Sequence, residues 1–132
     1  MPQLRHVSTL ADADYAYVTT VEPSTRLVFT AGACPLDANG HTVAPGDHAA
    51  QARQVMANLE TALAAAGARL TDVAKTTVYV ASAHQSDLVT VWQVVRDTFD
   101  DHDPPSTLLG VAVLGYPDQL VEVEAVAAVA AA

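Results

Sequence analysis

The chain has 132 residues, enough for one domain with a real core and short for two. Six basic residues stand against fifteen acidic ones, and the resulting net charge of −9 repels phosphate backbones and anionic bilayers, which argues against a nucleic-acid or membrane partner. Cys34 is the only cysteine, so neither an intramolecular disulfide nor a multi-cysteine metal site can form within the chain.

The opening MPQLRHVSTLADADY lacks the continuous apolar segment of a secretion signal, and no run of about 18 residues is free of polar side chains. A cytoplasmic location is the expectation. Leu4 to Val21 is polar and then mildly apolar, and Val18 to Val21 reads as a first strand. Glu22 to Thr25 is a turn by composition. Leu27 to Ala31 reads as a strand ended by Gly32, and PLDANG, residues 35–40, is turn chemistry in which Asn39-Gly40 favours positive φ. A short strand or bulge is expected between His41 and Pro45.

Residues 47–80 carry the strongest local signals. Asp47 can cap a helix by accepting an orphan backbone N–H. Ala52, Val55, Met56, Leu59, Leu63 and Ala66 recur at three- and four-residue steps and so share one helix face, with Gln51, Arg53, Gln54, Asn58 and Glu60 on the other. Gly67 can take the left-handed conformation that ends a helix. From Val73 the period changes to two, and the β-branched content through Val80 suits a strand. A second helix is expected after a cap at Ser86 or Asp87, with Leu88, Val91, Trp92, Val95 and Phe99 as its apolar stripe. Pro104-Pro105 cannot continue it. Leu108 to Leu114 and Leu120 to Val126 read as closing strands, and the alanine-rich tail to Ala132 reads as frayed.

This order predicts a single α+β domain over residues 1–132, with a mixed, mostly antiparallel sheet and two helices on one of its faces. The Val- and Leu-rich strands must also bury the other face, so an oligomer formed through it is expected.

The pieces LVFTAG with the following CPLD and NG (27–40), QARQVMANLETALAAAGARLTDVAKTTVYV (51–80) and VEVEAVA (121–127) resemble the Rid, or YjgF-like, family, whose older label is endoribonuclease L-PSP. The resemblance covers about residues 12–129. It implies a chorismate-mutase-like fold and a homotrimer whose sheets line a central barrel, with small-molecule sites in the clefts between subunits. It further implies hydrolysis of reactive enamines and imines to a keto product and ammonia, with no metal or organic cofactor. Carried over position by position, the resemblance selects Tyr15 near the start, the backbone of Gly32 (flanked here by Ala31 and Ala33), and Glu122 as the group that positions the attacking water. Where the family has an Asn on the second helix, this chain has Trp92. Where deaminating members carry an Arg that grips the substrate carboxylate, the segment reads Pro104-Pro105-Ser106-Thr107, so Ser106 or Thr107 takes that place. A bidentate Arg–carboxylate pair is a charge-assisted anchor, and losing it costs about 2–4 kcal/mol in transition-state binding, on the order of a hundredfold in rate. Arg26 or Arg96 of a neighbouring subunit could supply a substitute.

Each of these residues also has a plainer reading. Glu122 sits among alternating apolar and acidic residues and could be a solvated carboxylate, or a base in the cleft. Glu124, two residues on, faces the same side of the strand. Cys34 lacks a neighbouring base in the sequence and reads as a structural thiol. Trp92 suits core packing as well as a cleft wall, and Tyr15 and Tyr116 suit a rim. The five His residues, at 6, 41, 48, 84 and 102, have no metal-ligand spacing. No nucleophile elbow supports a serine-hydrolase triad. The reading is a diverged, cofactor-independent Rid-like enzyme acting on a small, less anionic metabolite. The alternative is a non-catalytic trimer that binds a small ligand or regulates. The net charge speaks against a ribonuclease.

Overall fold

The computed structural model describes residues 1–131, and Ala132 lies outside the described residues. The elements are β1 (Gln3–Arg5), β2 (Val18–Thr20), β3 (Thr25–Phe29), α1 (His48–Ala65), a 3-10 turn (Leu70–Asp72), β4 (Val73–Ala81), α2 (Gln85–Phe99), β5 (Ser106–Val111) and β6 (Val121–Ala130). The main sheet has the order β3-β6-β4-β5; only β4 and β5 run parallel, and α2 makes the crossover that a parallel pair needs. β1 and β2 form a separate antiparallel ribbon.

α1 begins and ends as its residues dictate. Asp47 Oδ1 accepts the Ala50 backbone N–H at 3.0 Å, and Gly67 takes φ +78° just past the end. Arg26 Nη2 donates to the Ala66 carbonyl at 3.0 Å and ties β3 to the helix terminus. Ala52, Val55, Met56, Leu59 and Leu63 are buried against the sheet, where they meet Val78, Val80, Val121, Val123, Ala125 and Ala127. Val91, Val95 and Phe99 of α2 complete that core, with Leu88 and Trp92 packed at its margin. Both helices therefore lie on one face, as the periodicity predicts.

Several sequence expectations need correction. Gln51 is fully buried rather than on the outer face of α1. It acts as a polar pin: its Nε2 donates to the carbonyls of Asp118 (2.9 Å) and Ala44 (3.3 Å), and its Oε1 accepts the Leu120 N–H (2.8 Å). The strand expected near His41–Pro45 is reduced to a bridge between Leu36 and Thr42. α2 is preceded by His84, which makes no side-chain cap, while Asp87 instead accepts the Ser82 hydroxyl at 2.7 Å. β5 starts at Ser106 and stops at Val111 because its register with β4 ends there. β6 continues to Ala130 rather than fraying after Val126, because β3 supplies hydrogen-bond partners from Phe29↔Val126 to Thr25↔Ala130. β1 had no sequence signal; its short polar stretch is ordered by pairing with β2.

The face opposite the helices is open. Register puts Thr107, Thr77 and Glu124 level with one another on it, and Leu109, Tyr79 and Glu122 form the next row. Phe29 (72% exposed), Leu27 (48%) and Leu109 (43%) stand on this face without cover. Among the described residues, no helix is long and apolar enough to cross a membrane.

Replacing Gln51 with Leu keeps the volume and leaves the Asp118 carbonyl and the Leu120 N–H without that partner, while the Ala44 carbonyl keeps the Asp47 N–H. The expected loss is about 3 kcal/mol, since each orphaned buried group costs about 1–3 kcal/mol. Urea denaturation measures it, and a loss below about 1 kcal/mol would show that the pin is dispensable.

Candidate functional site

Two clusters of polar groups sit on or beside the open sheet face. The first is built where the chain leaves β3 and returns beside β6. Ala33 and Val123 exchange backbone hydrogen bonds, N–H to O, at 2.7 and 3.1 Å, which lays residues 32–34 along β6. Gly32 then touches the Glu122 side chain so closely that an added Cβ would fall 2.2 Å from Oε2. Only glycine fits there without displacing the carboxylate. Asn58, from α1, holds the same loop from behind, its Nδ2 donating to the carbonyls of Cys34 and Leu36, both at 2.9 Å.

Glu122 Oε1 accepts two bonds, from Gln119 Nε2 at 3.1 Å and from Cys34 Sγ at 3.4 Å. Gln119 is itself fixed, donating to the Val121 carbonyl at 3.1 Å and accepting the Tyr116 N–H at 3.0 Å. Among the described residues no protein donor lies on Oε2. The carboxylate is thus oriented through one oxygen, while the other packs beside Gly32 without a protein donor among the described residues. Burial, and then the hydrogen bond and negative charge of Glu122, push the Cys34 thiol up to about 11, so it remains a protonated donor near neutrality. Beside this cluster, Glu124 Oε1 accepts the Tyr79 hydroxyl at 2.7 Å, and that bond, with burial, raises the Tyr79 phenol above its ordinary value.

The second cluster surrounds a cleft of about 520 Å³ between the β1–β2 ribbon and the β4–β5 end of the sheet. Tyr15, Tyr17, Val18, Lys75, Ser106 and Thr107 are among its walls. The Tyr15 ring meets Trp92 edge to face, with centroids 6.1 Å apart at 83°. Trp92 is not itself a wall of the cleft; it backs Tyr15, and its Nε1 donates to Asp14 at 3.4 Å. Ser106 and Thr107 differ in direction. The Ser106 hydroxyl is bonded to Thr76 Oγ1 at 2.6 Å and to the Pro104 carbonyl at 3.0 Å, whereas Thr107 is exposed on the open face. Thr107 is therefore the position from which a longer side chain could reach a ligand.

The structure brings Gly32 and Glu122 together, and separately gathers Tyr15, Ser106 and Thr107, with Trp92 behind. It does not join the two groups within one chain. The register leaves Thr107 two strands across and two residues along from Glu122, a separation of roughly 12 Å between backbones. Neither arginine considered as a substitute anchor is free in this chain. Arg26 caps α1, and Arg96 pairs with Asp14 at 3.4 Å and with Asp97 at 3.9 Å. Tyr116 is exposed and meets the first cluster only through its backbone. Gln119, Asn58 and Lys75 were not legible as site residues, because each acts through a contact that no local pattern announces. Among the described residues, no group of three or more His, Cys, Asp or Glu side chains could hold a metal ion.

The profile of the family described as "Endoribonuclease L-PSP" matches residues 8–129, nearly the whole chain. The chain belongs to this family, the Rid family. Among curated Rid relatives, "3-aminoacrylate deaminase RutC" of Acinetobacter baylyi is 32% identical over 108 residues, covering 80% of this chain and 83% of that one. The "2-iminobutanoate/2-iminopropanoate deaminase" of Escherichia coli K12 is 35% identical over 105 residues, covering 77% and 79%. Among solved structures, a Yersinia pestis protein described as of unknown function in the conserved Rid family superposes with a TM-score of 0.88 at 28% identity, over 96% of this chain and 97% of that one. E. coli TdcF, solved with bound serine, gives a TM-score of 0.67 at 28% identity, over 88% and 94%.

The Cys34 thiol offers a direct check on the first cluster. With its pKa near 11 rather than the ordinary 9.0, alkylation by iodoacetamide at pH 8 is expected on the order of a hundredfold slower in the native than in the urea-unfolded protein. The native rate should keep rising towards pH 11. Equal rates in both states would contradict the burial and the Glu122 contact that together raise the thiol.

Proposed function

We propose that the protein is a cofactor-independent Rid-family enzyme that hydrolyses or tautomerises an enamine- or imine-like intermediate of a small metabolite. The observation that carries this reading is the Glu122 carboxylate, fixed through Oε1 by Gln119 and Cys34 and bare at Oε2 beside Gly32. An oriented carboxylate with one free oxygen suits general-base work on water.

In the hydrolytic form, Oε2 takes a proton from water as the water oxygen bonds to the imine carbon and the C=N π pair moves to nitrogen. Glu122 gives that proton to the nitrogen, forming a neutral carbinolamine. In the collapse the carbinolamine hydroxyl proton passes by way of Glu122 to the nitrogen, the O–H bond pair becomes the C=O π bond and the C–N bond breaks, releasing ammonia and leaving Glu122 ionised as at the start. In the tautomerising form, the same oxygen moves a proton between carbon and nitrogen.

The two clusters suit a site completed between copies of the chain. The bare Leu27, Phe29 and Leu109 call for cover, and a homotrimer through the open face would bury them. In that assembly the Glu122–Gly32 cluster of one subunit would face the Tyr15–Thr107 cleft of the next. The relatives named as imine and enamine deaminases support the reaction class. Ser106 or Thr107 stands where deaminating members carry the carboxylate-gripping Arg, with Thr107 the one on the open face, and this argues against efficient turnover of small 2-imino acids. A trimer that only binds its ligand remains the alternative that activity measurements decide.

An amino-acid dehydratase that releases 2-aminoacrylate provides the test, with keto acid formation as the readout. The native protein is expected to accelerate release weakly. Thr107→Arg should raise the rate on the order of a hundredfold, matching about 2–4 kcal/mol of restored anchoring, and Glu122→Gln in that background should remove the gain. No gain with Thr107→Arg, or a gain indifferent to Glu122→Gln, counts against the reading. A stable monomer in sedimentation would eliminate the shared cleft.

A further inference from the structure

We propose that Lys75 is the specificity-determining residue of the cleft and that the cleft takes a small monoanion with an apolar body, held at one point by the ammonium group. This deepens the preceding reading and rests on it for the identity of the ligand site.

The argument begins with the walls. Val18, Val21, Ala74, Pro105 and Val126 make most of the cleft apolar. Its hydroxyls are mostly committed: Tyr17 donates to the Ala11 carbonyl at 2.6 Å, Thr19 to the Ala74 carbonyl at 2.6 Å, and Ser106 to the Pro104 carbonyl. Within one copy of the chain, Lys75 is the one cationic side chain among the described wall residues, and no carboxylate stands among them. It is exposed and makes no ion pair within 4.0 Å among the described residues. Its nearest acidic competitor by position is Glu124, which shares a neighbouring cavity with it and already accepts the Tyr79 hydroxyl. An unpaired cation at the edge of an apolar cleft is a ready partner for an anion whose remaining surface is apolar.

Position on the sheet strengthens this. Lys75 precedes Thr77 by two residues, so both side chains emerge on the open face about 7 Å apart, and Thr77 is level with Thr107. The ammonium therefore serves the same end of the cleft as the Thr107 hydroxyl, from the adjacent strand. A lysine is a point charge on a flexible stem, not a planar fork. It fixes the charge of the ligand without fixing its plane. The cleft consequently selects by charge and by apolar fit, and a ligand with a larger apolar body than an imino acid of three or four carbons gains more from the Tyr15, Val18 and Val126 walls.

Phenylacetate and its uncharged analogue phenylacetamide are suitable probes, titrated against the full chain by calorimetry or by NMR. The native protein is expected to prefer phenylacetate by at least about tenfold, with the preference shrinking as salt is raised. Lys75→Met should abolish the preference, and Lys75→Arg, which keeps the charge, should retain most of it. Equal binding of the two probes, binding of neither, or a preference that survives Lys75→Met would overturn the proposal. Circular dichroism of each variant confirms that the exposed position has been changed without loss of fold. Because binding is read without turnover, the two readings fail separately. A protein that discriminates the probes yet accelerates no imine hydrolysis keeps this assignment and loses the hydrolytic one, and an active protein that does not discriminate does the reverse.

Discussion

Pairing of β6 on both sides is the constraint from which the rest of the molecule follows. It joins β3 on one flank and β4 on the other, both antiparallel, and exchanges two further bonds with Ala33 beyond the end of β3. Its helix-facing residues, Val121, Val123, Ala125 and Ala127, are small enough for α1 to lie close against it. Its other side carries Glu122 and Glu124. One strand therefore anchors the core and presents the acids, and neither task can shift by one residue without inverting the other.

The surroundings of Glu122 divide labour between backbone and side chains. The Ala33–Val123 bridge brings Gly32 into contact with the carboxylate, Asn58 stiffens the loop that carries Cys34, and Gln119 turns the acid by one oxygen. The carboxylate is held by a thiol and a primary amide, with no cation among its hydrogen-bond partners in the described residues. The cation of the region, Lys75, lies instead with the aromatic and apolar cleft. The ammonium of Lys75 and the carboxylate of Glu122 are thus kept on different parts of one sheet face, and a shared site between copies would bring them together.

α1 and β4 were legible in the sequence because their signals are local and periodic: a capping Asp47, a stripe of Val55, Met56, Leu59 and Leu63, a stop at Gly67, then alternation from Val73. The two-helix, mixed-sheet arrangement followed from their order. What local pattern could not reveal depends on partners distant in sequence. Gln51 looks like a surface glutamine until Ala44, Asp118 and Leu120 converge on it. Ala127 to Ala130 look like a loose tail until β3 pairs with them. The same holds at the site. Gly32 and Glu122 are far apart in sequence and touch in the fold, whereas Ser106 and Thr107, equivalent by sequence, point to opposite faces. Lys75 looked like one more polar residue in an alternating strand, and only its place in the cleft singles it out.

The contact between Gly32 and Glu122 also links two positions 90 residues apart into one heritable character. A methyl group at 32 would have to displace the flexible end of the Glu122 side chain from its present position. That displacement takes the acid out of the geometry in which Gln119 and Cys34 hold it. Substitutions at the two positions should therefore be non-additive, since each changes the space the other occupies.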